Sequence, residues 1–70
     1  MQITFDQDAD ALYIQFQPGK HVKKTVKLRE GLLVDLDPQG RLFGLEILDV
    51  SHRIPLEQLG HVNISLPVHA

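Results

Sequence analysis

Leu32-Leu33-Val34-Asp35-Leu36-Asp37-Pro38-Gln39-Gly40-Arg41-Leu42-Phe43-Gly44-Leu45-Glu46-Ile47-Leu48-Asp49 is the stretch that decides the fold. Two apolar runs flank Asp37-Pro38-Gln39-Gly40. Pro38 presets φ for a turn and Gly40 can take the positive φ that closes it, so the stretch reads as a β-hairpin. Leu32, Leu33, Val34 and Leu36, then Leu45, Ile47 and Leu48, put apolar atoms on both sides of these strands. Both faces are therefore expected to need cover.

Working outward, Gln2 to Asp6 alternates polar and apolar, which places Ile3 and Phe5 on one face of a first strand, and Gln7 to Asp10 supplies its turn. Ala11 to Gln17 follows, with Leu12, Ile14 and Phe16 on one face and Tyr13, Gln15 and Gln17 on the other, until Pro18-Gly19 ends the run. Val22 to Leu28 forms a half-solvated third strand with Val22, Lys24, Val26 and Leu28 on one side, and Glu30-Gly31 turns it. Ser51 to Ile54 is irregular. Pro55 to Gly60 reads as a short helix with Pro in its first turn and Gly just past its end. Val62, Ile64 and Leu66 alternate with Asn63 and Ser65, which suits a last short strand or an extended tail ending at Pro67. The sum is a mostly β, α+β single domain over residues 1–70: an antiparallel β-meander of about five strands with one short C-terminal helix.

A chain of 70 residues is near the lower limit for folding alone, and at roughly 0.05–0.15 kcal/mol per residue its stability is about 3.5–10 kcal/mol. Small scaffolds recruit disulfides, a metal or a second copy of themselves. There is no cysteine, which excludes the first and fits a reducing cytosol. His21, His52, His61 and His69 lack ligand spacing, which argues against a structural metal. Self-association remains. A short helix leaves much of one sheet face bare, and Leu33, Phe43, Leu45 and Ile47 are the expected interface of a homodimer. The opening Met1-Gln2-Ile3-Thr4-Phe5-Asp6 has neither the basic lead nor the apolar core of a signal peptide, and no apolar run approaches about 18 residues. A soluble cytoplasmic protein with no membrane partner is the expectation.

Four constellations bear on chemistry. Asp6-x-Asp8-x-Asp10 imitates the start of a calcium loop, but the rest of that loop is missing, with Ala11 where Gly is wanted and Gln17 where Glu is wanted. Turn capping by Asx bonds explains these acids better. Asp35, Asp37, Glu46 and Asp49 offer carboxylate pairs, Asp35 opposite Glu46 among them, yet acid/base work needs a cleft that perturbs their pKa. Ser51-His52-Arg53 sets a hydroxyl beside an imidazole, with no acid identifiable to orient the ring, and capping explains Ser51 better. Lys20, His21, Lys23, Lys24, Lys27 and Arg29 make the one basic stripe. It lacks aromatic interleaving and a groove-sized helix, so nucleic acid is disfavoured; shielding a strand edge, or steering an acidic protein partner, suits it better. Tyr13, Phe5, Phe16 and Phe43 read as core or interface anchors.

These residues resemble the small bacterial family known as domain of unknown function 2283. The matching elements are Ile3-Thr4-Phe5-Asp6 with Ala9-Asp10-Ala11-Leu12-Tyr13-Ile14, then Gly31 to Leu42, then Gly44 to Asp49, together about the first fifty residues. The resemblance implies a short β-rich domain encoded alone, and for some members a place beside small toxin-like proteins in the manner of antitoxins. It implies no catalytic residue and no cofactor. The sequence thus points to a non-enzymatic interaction module acting as a homodimer, with a small partner protein. A DNA-associated regulator using the basic stripe, and a small metal-dependent enzyme around Asp6, Asp8 and Asp10, are the alternatives.

Overall fold

One carboxylate organises the hairpin around Pro38. The computed structural model describes residues 1–65. Its strands are Gln2–Asp6 (β1), Ala11–Gln15 (β2), Lys24–Arg29 (β3), Leu32–Leu36 (β4) and Leu42–Leu48 (β5). Between β4 and β5 the Gly40 N–H donates to the Asp37 carbonyl at 2.9 Å, and the Asp37 N–H donates to the Arg41 carbonyl at 2.9 Å. Gly40 takes φ 79°, the left-handed residue that ends a three-residue hairpin loop. The Asp37 carboxylate collects the turn's remaining donors. Its Oδ1 accepts from the N–H groups of Gln39 (2.9 Å) and Arg41 (2.8 Å), and its Oδ2 accepts from Arg41 Nε and Gln17 Nε2, both at 3.0 Å.

The five strands form one antiparallel sheet in the order β1-β2-β5-β4-β3, so the mostly β class and the strand number are as the sequence predicts. The neighbour order departs from a meander at one step: β2 pairs with β5, not with β3. The chain leaves β2, passes the β5 and β4 positions, and returns through three hairpin-connected strands, which is Greek-key order. The reason is chemical. Lysine-rich β3 suits a solvated edge, whereas Leu45 and Ile47 of β5 match Ile14 and Leu12 of β2 across the ladder. Beyond β2, the Phe16 N–H still reaches the Phe43 carbonyl at 2.8 Å and Gln17 Nε2 donates to the Leu42 carbonyl at 2.7 Å, so this segment stays stitched to β5.

Two bulges interrupt the ladders, at Leu28 of β3 between Lys27 and Arg29, and at Phe43 of β5 opposite the step from Asp35 to Leu36 of β4. The first turns Leu28 outward, 62% exposed, where simple alternation places it inside. The expected short helix forms as a 3-10 segment, Leu56–Gly60, behind Pro55. A second 3-10 turn, Val50–His52, occupies the irregular stretch. The extensive packing is strand against strand, and neither 3-10 segment packs broadly on the sheet. Val62 and Ile64 lie exposed outside any strand, so the expected last strand does not form up to Ser65; Leu66 lies outside the described residues. The core among the described residues is small: Leu12, Val34, Phe43 and Val50.

Burial of the Asp37 carboxyl works against its ionisation, but the hydrogen bonds from Arg41 N–H, Gln17, the Arg41 guanidinium and Gln39 N–H outweigh it and hold the group at about 2. Because the folded value lies below the ordinary 3.8, the stabilisation is fully present above about pH 4 and is lost as pH falls through the folded value. Thermal melts followed by circular dichroism should therefore show Tm dropping across that acid window, and Asp37→Asn should lower Tm at neutral pH and flatten the drop. Parallel acid curves for the two proteins would show that Asp37 is not the group responsible.

Candidate functional site

Strand register sorts the side chains into transverse rows. Ile3, Ile14, Leu45, Val34 and Val26 pair in sequence across all five strands, and Phe5, Leu12, Ile47 and Leu32 form the next row on the same face. This is the apolar face. The other carries Thr4, Tyr13, Glu46, Leu33 and Lys27 in one row and Gln2, Gln15, Gly44, Asp35 and Thr25 in another. It is mostly polar, so β4 and β5 do not need cover on both faces as the sequence suggests; Leu33 and Leu48 are its apolar exceptions.

The polar face is tied together by one long side chain. The Tyr13 hydroxyl donates to Asp35 Oδ2 at 2.7 Å, reaching from β2 across β5 to β4, and Thr25 Oγ1 of β3 donates to Asp35 Oδ1 at 2.6 Å. The crossing is possible because residue 44 is glycine: a Cβ there would overlap the Tyr13 hydroxyl and ring. Desolvation, then the hydrogen bond to Asp35 and the charges of Asp35 and Glu46, push the Tyr13 hydroxyl up to about 12. Asp35 thus faces Gly44, and Glu46 faces Leu33, so the carboxylate pair expected from neighbouring strands does not form. The arrangement is a structural stitch, with a phenol held protonated, and offers no general base.

The expected interface residues separate. Leu45 and Ile47 lie half-buried on the apolar face. Phe43, at the bulged end of β5, is 4% exposed and belongs to the chain's own core, so it is not available to a partner. Leu33 lies on the opposite face between Glu46 and Lys27. Ile3 and Phe5 of β1, 39% and 37% exposed, are among the large apolar side chains the expectation missed, with Leu28, Leu42 and Leu48 on other strands. The alternation in β1 was readable, but not that the strand would be an edge.

The basic stripe also divides. Lys20, His21 and Lys23 precede β3, while Lys24 and Lys27 occupy alternating positions of that edge strand, which presents them to opposite faces. Lys27 pairs with Glu30, and Arg29 sits past the bulge opposite Leu32. The cations of the stripe are thus divided between the segment before β3 and the two faces of that strand.

Asp6, Asp8 and Asp10 do not converge on an ion. Asp6 Oδ1 accepts from the N–H groups of Asp8 and Ala9, each at 3.1 Å, the turn capping expected of it. Asp10, at φ 52°, turns away and clasps Ser51, accepting from its N–H at 3.1 Å and its Oγ at 2.6 Å. Asp49, at φ 55°, does orient His52, with Oδ1 2.9 Å from Nδ1. The sequence identified no such acid. That bond, then the Asp49 charge, raises the His52 pKa. Ser51 Oγ approaches the same Nδ1 at 3.5 Å, whereas a triad needs acid and hydroxyl on opposite ring nitrogens. Among the described residues, Asp10, Asp49 and His52 bring ligand atoms within 4.8 Å of one another; in this group Asp10 holds Ser51 while Asp49 and His52 bond each other. Arg53 donates to the carbonyls of Leu48 (2.9 Å) and Glu30 (3.0 Å).

A shallow hollow of about 430 Å³ is lined by Met1, Gln2, Gln15, Gln17 and Pro18. Its glutamine amides donate to the Gln17 and Gly19 carbonyls and to Leu42 and Asp37. No helix among the described residues is long and apolar enough to cross a membrane.

A family model described as "Protein of unknown function (DUF2283)" matches residues 2–51, the whole sheet and its closing turn. No curated protein and no solved structure matches the chain.

Two measurements check the stitch. Tyr13 is the one tyrosine and there is no tryptophan, so ultraviolet titration reports it alone; it should ionise near 12. A folded value above the unfolded one means its stabilisation is complete below the ordinary 10.0 and is lost as pH rises through the folded value. Ionisation at the ordinary value in the folded protein would contradict the bond to Asp35. Gly44→Ala should cost about 1–3 kcal/mol, the usual penalty of overpacking, in urea denaturation; an unchanged midpoint would mean the ring does not cross there.

Proposed function

The chain belongs to the DUF2283 family, and from that premise we propose that it is a non-enzymatic protein-interaction module, acting as a cytoplasmic homodimer that binds a small partner protein. The observation that carries this reading is the single-layered sheet. Its apolar face has strands on one level and no broad second layer among the described residues, and its β1 flank keeps Ile3 and Phe5 in water. The chain exposes 5657 Å², against about 4,400 Å² for a compact monomer of this mass. The surplus, about 1,250 Å², exceeds the roughly 800 Å² that one partner contributes to a standard interface, and part of it belongs to the exposed segment 61–65.

The polar groups support the same reading from the other side. Asp6, Asp10, Asp35, Asp37 and His52 each hold turns or strands in place, and their bonds leave no poised acid, base or nucleophile. The lysines and arginine along β3 would steer an acidic partner toward that edge. The antitoxin-like role follows from the family resemblance and from this dimeric, partner-seeking surface; it is the finer part of the proposal.

If folding and association are coupled, stability rises with protein concentration by mass action. Sedimentation equilibrium should report twice the 7.9 kDa chain mass, and Tm should climb between about 10 µM and about 500 µM. A 7.9 kDa species throughout, with constant Tm, would overturn the reading.

A further inference from the structure

We propose that β1 is a self-pairing edge: two copies join their β1 strands antiparallel across a two-fold axis through Thr4, making one continuous sheet. The inference rests on the dimer reading above and adds its surface and register.

The sheet has two edges, β1 and β3, and each presents a row of unpaired backbone groups. The β3 edge is defended. It carries Lys24, Lys27 and Arg29 and a bulge, and antiparallel pairing with its own copy sets Lys24 of one chain near Arg29 of the other. The β1 edge has none of these devices. Gln2-Ile3-Thr4-Phe5-Asp6 holds no lysine, arginine or proline, keeps an unbroken register with β2, and is exposed along its length.

The sequence of β1 is also complementary to itself. With Thr4 opposite Thr4, Ile3 meets Phe5 and Gln2 meets Asp6. Both apolar residues then fall on the apolar face, so the row Ile3-Ile14-Leu45-Val34-Val26 continues into the second copy and the side chains left half in water cover each other. On the polar face the Gln2 amide can donate to Asp6, whose Oδ1 serves its own turn while Oδ2 accepts from no donor among the described residues. Registers centred on Ile3 or Phe5 also keep the apolar faces together, but only the one centred on Thr4 pairs all five residues of β1. A one-residue slip sets the apolar face of one copy against the polar face of the other, and moving the axis to Asp6 opposes like charges. Paired residues in the Thr4-centred register always share backbone parity, so donors meet acceptors whichever half of β1 points outward. Pairing of this kind closes on itself, whereas β1 on β3 would propagate into a filament.

The test uses the full chain. Thr4→Lys puts two ammonium groups across the axis and should weaken dimerisation at least about tenfold in sedimentation, with an unchanged circular-dichroism spectrum. Because the chain has no cysteine, Thr4→Cys gives a single thiol that should oxidise to a disulfide-linked dimer, since opposed strand residues approach to about 4.5–5.5 Å between Cβ atoms. Lys24→Cys on β3 should stay monomeric on a denaturing gel. A Thr4→Lys chain that dimerises as tightly as wild type, or Lys24→Cys crosslinking as readily as Thr4→Cys, overturns β1 pairing while the dimer stands. A wild type monomeric at every concentration removes both. Should Thr4→Lys fail to fold, the crosslinking pair decides.

Discussion

The bond from the Tyr13 hydroxyl to Asp35 is the constraint on which the sheet depends. It spans β5 at Gly44, so it fixes β2 against β4 and, through Thr25, against β3. A strand that slips by one residue presents its other face, and here a slip would break this bond as well as move leucines into water. Register is therefore held from both faces, by the apolar rows on one and on the other by a polar contact that a Cβ at residue 44 would obstruct. The sidedness that leaves Ile3 and Phe5 at one flank follows in turn.

The two ends of the sheet are held differently. At one end, Asp37 gathers donors from Gln17, Gln39 and Arg41, which ties the β4–β5 loop to the segment leaving β2. At the other, Asp10 holds Ser51 and Arg53 reaches the carbonyls of Leu48 and Glu30, so the first 3-10 turn binds three separate chain segments. Both ends use charge-assisted hydrogen bonds, which are stronger than neutral ones. In a chain with four buried apolar side chains among the described residues, these clamps supply rigidity that packing alone does not. They also give structural work to Asp10, Asp37 and Arg53, whose bonds join segments distant in the chain.

Local chemistry was the legible part of the sequence. Pro38 and Gly40 announce their hairpin, alternation marks β1 and β2, and the motifs from Ile3 to Asp49 suffice to indicate the family. What stayed hidden is long-range. Nothing in Ala11 to Gln17 says that its second neighbour is β5, because the pairing is chosen by rows of side chains that only assemble in the fold. Asp35 invites pairing with Glu46 because Glu46 shares a face with the true partner, Gly44, only two residues away on β5. Bulges hide for a related reason: an inserted residue resets the parity of everything beyond it, which misplaced Leu28. Phe43 was mistaken for a surface anchor because the bulge it occupies, which draws it inward, leaves no mark in composition.

The contrast between the two edges links fold to association. A sheet this thin must end somewhere, and each end is a template for another strand. On β3 the chain spends three cations and a bulge on preventing that. On β1 it has no such device, although Phe5 and Ile3 stand exposed there. In the proposed pairing this asymmetry has a use: the open edge sets the partner, and the guarded one ends the assembly at two.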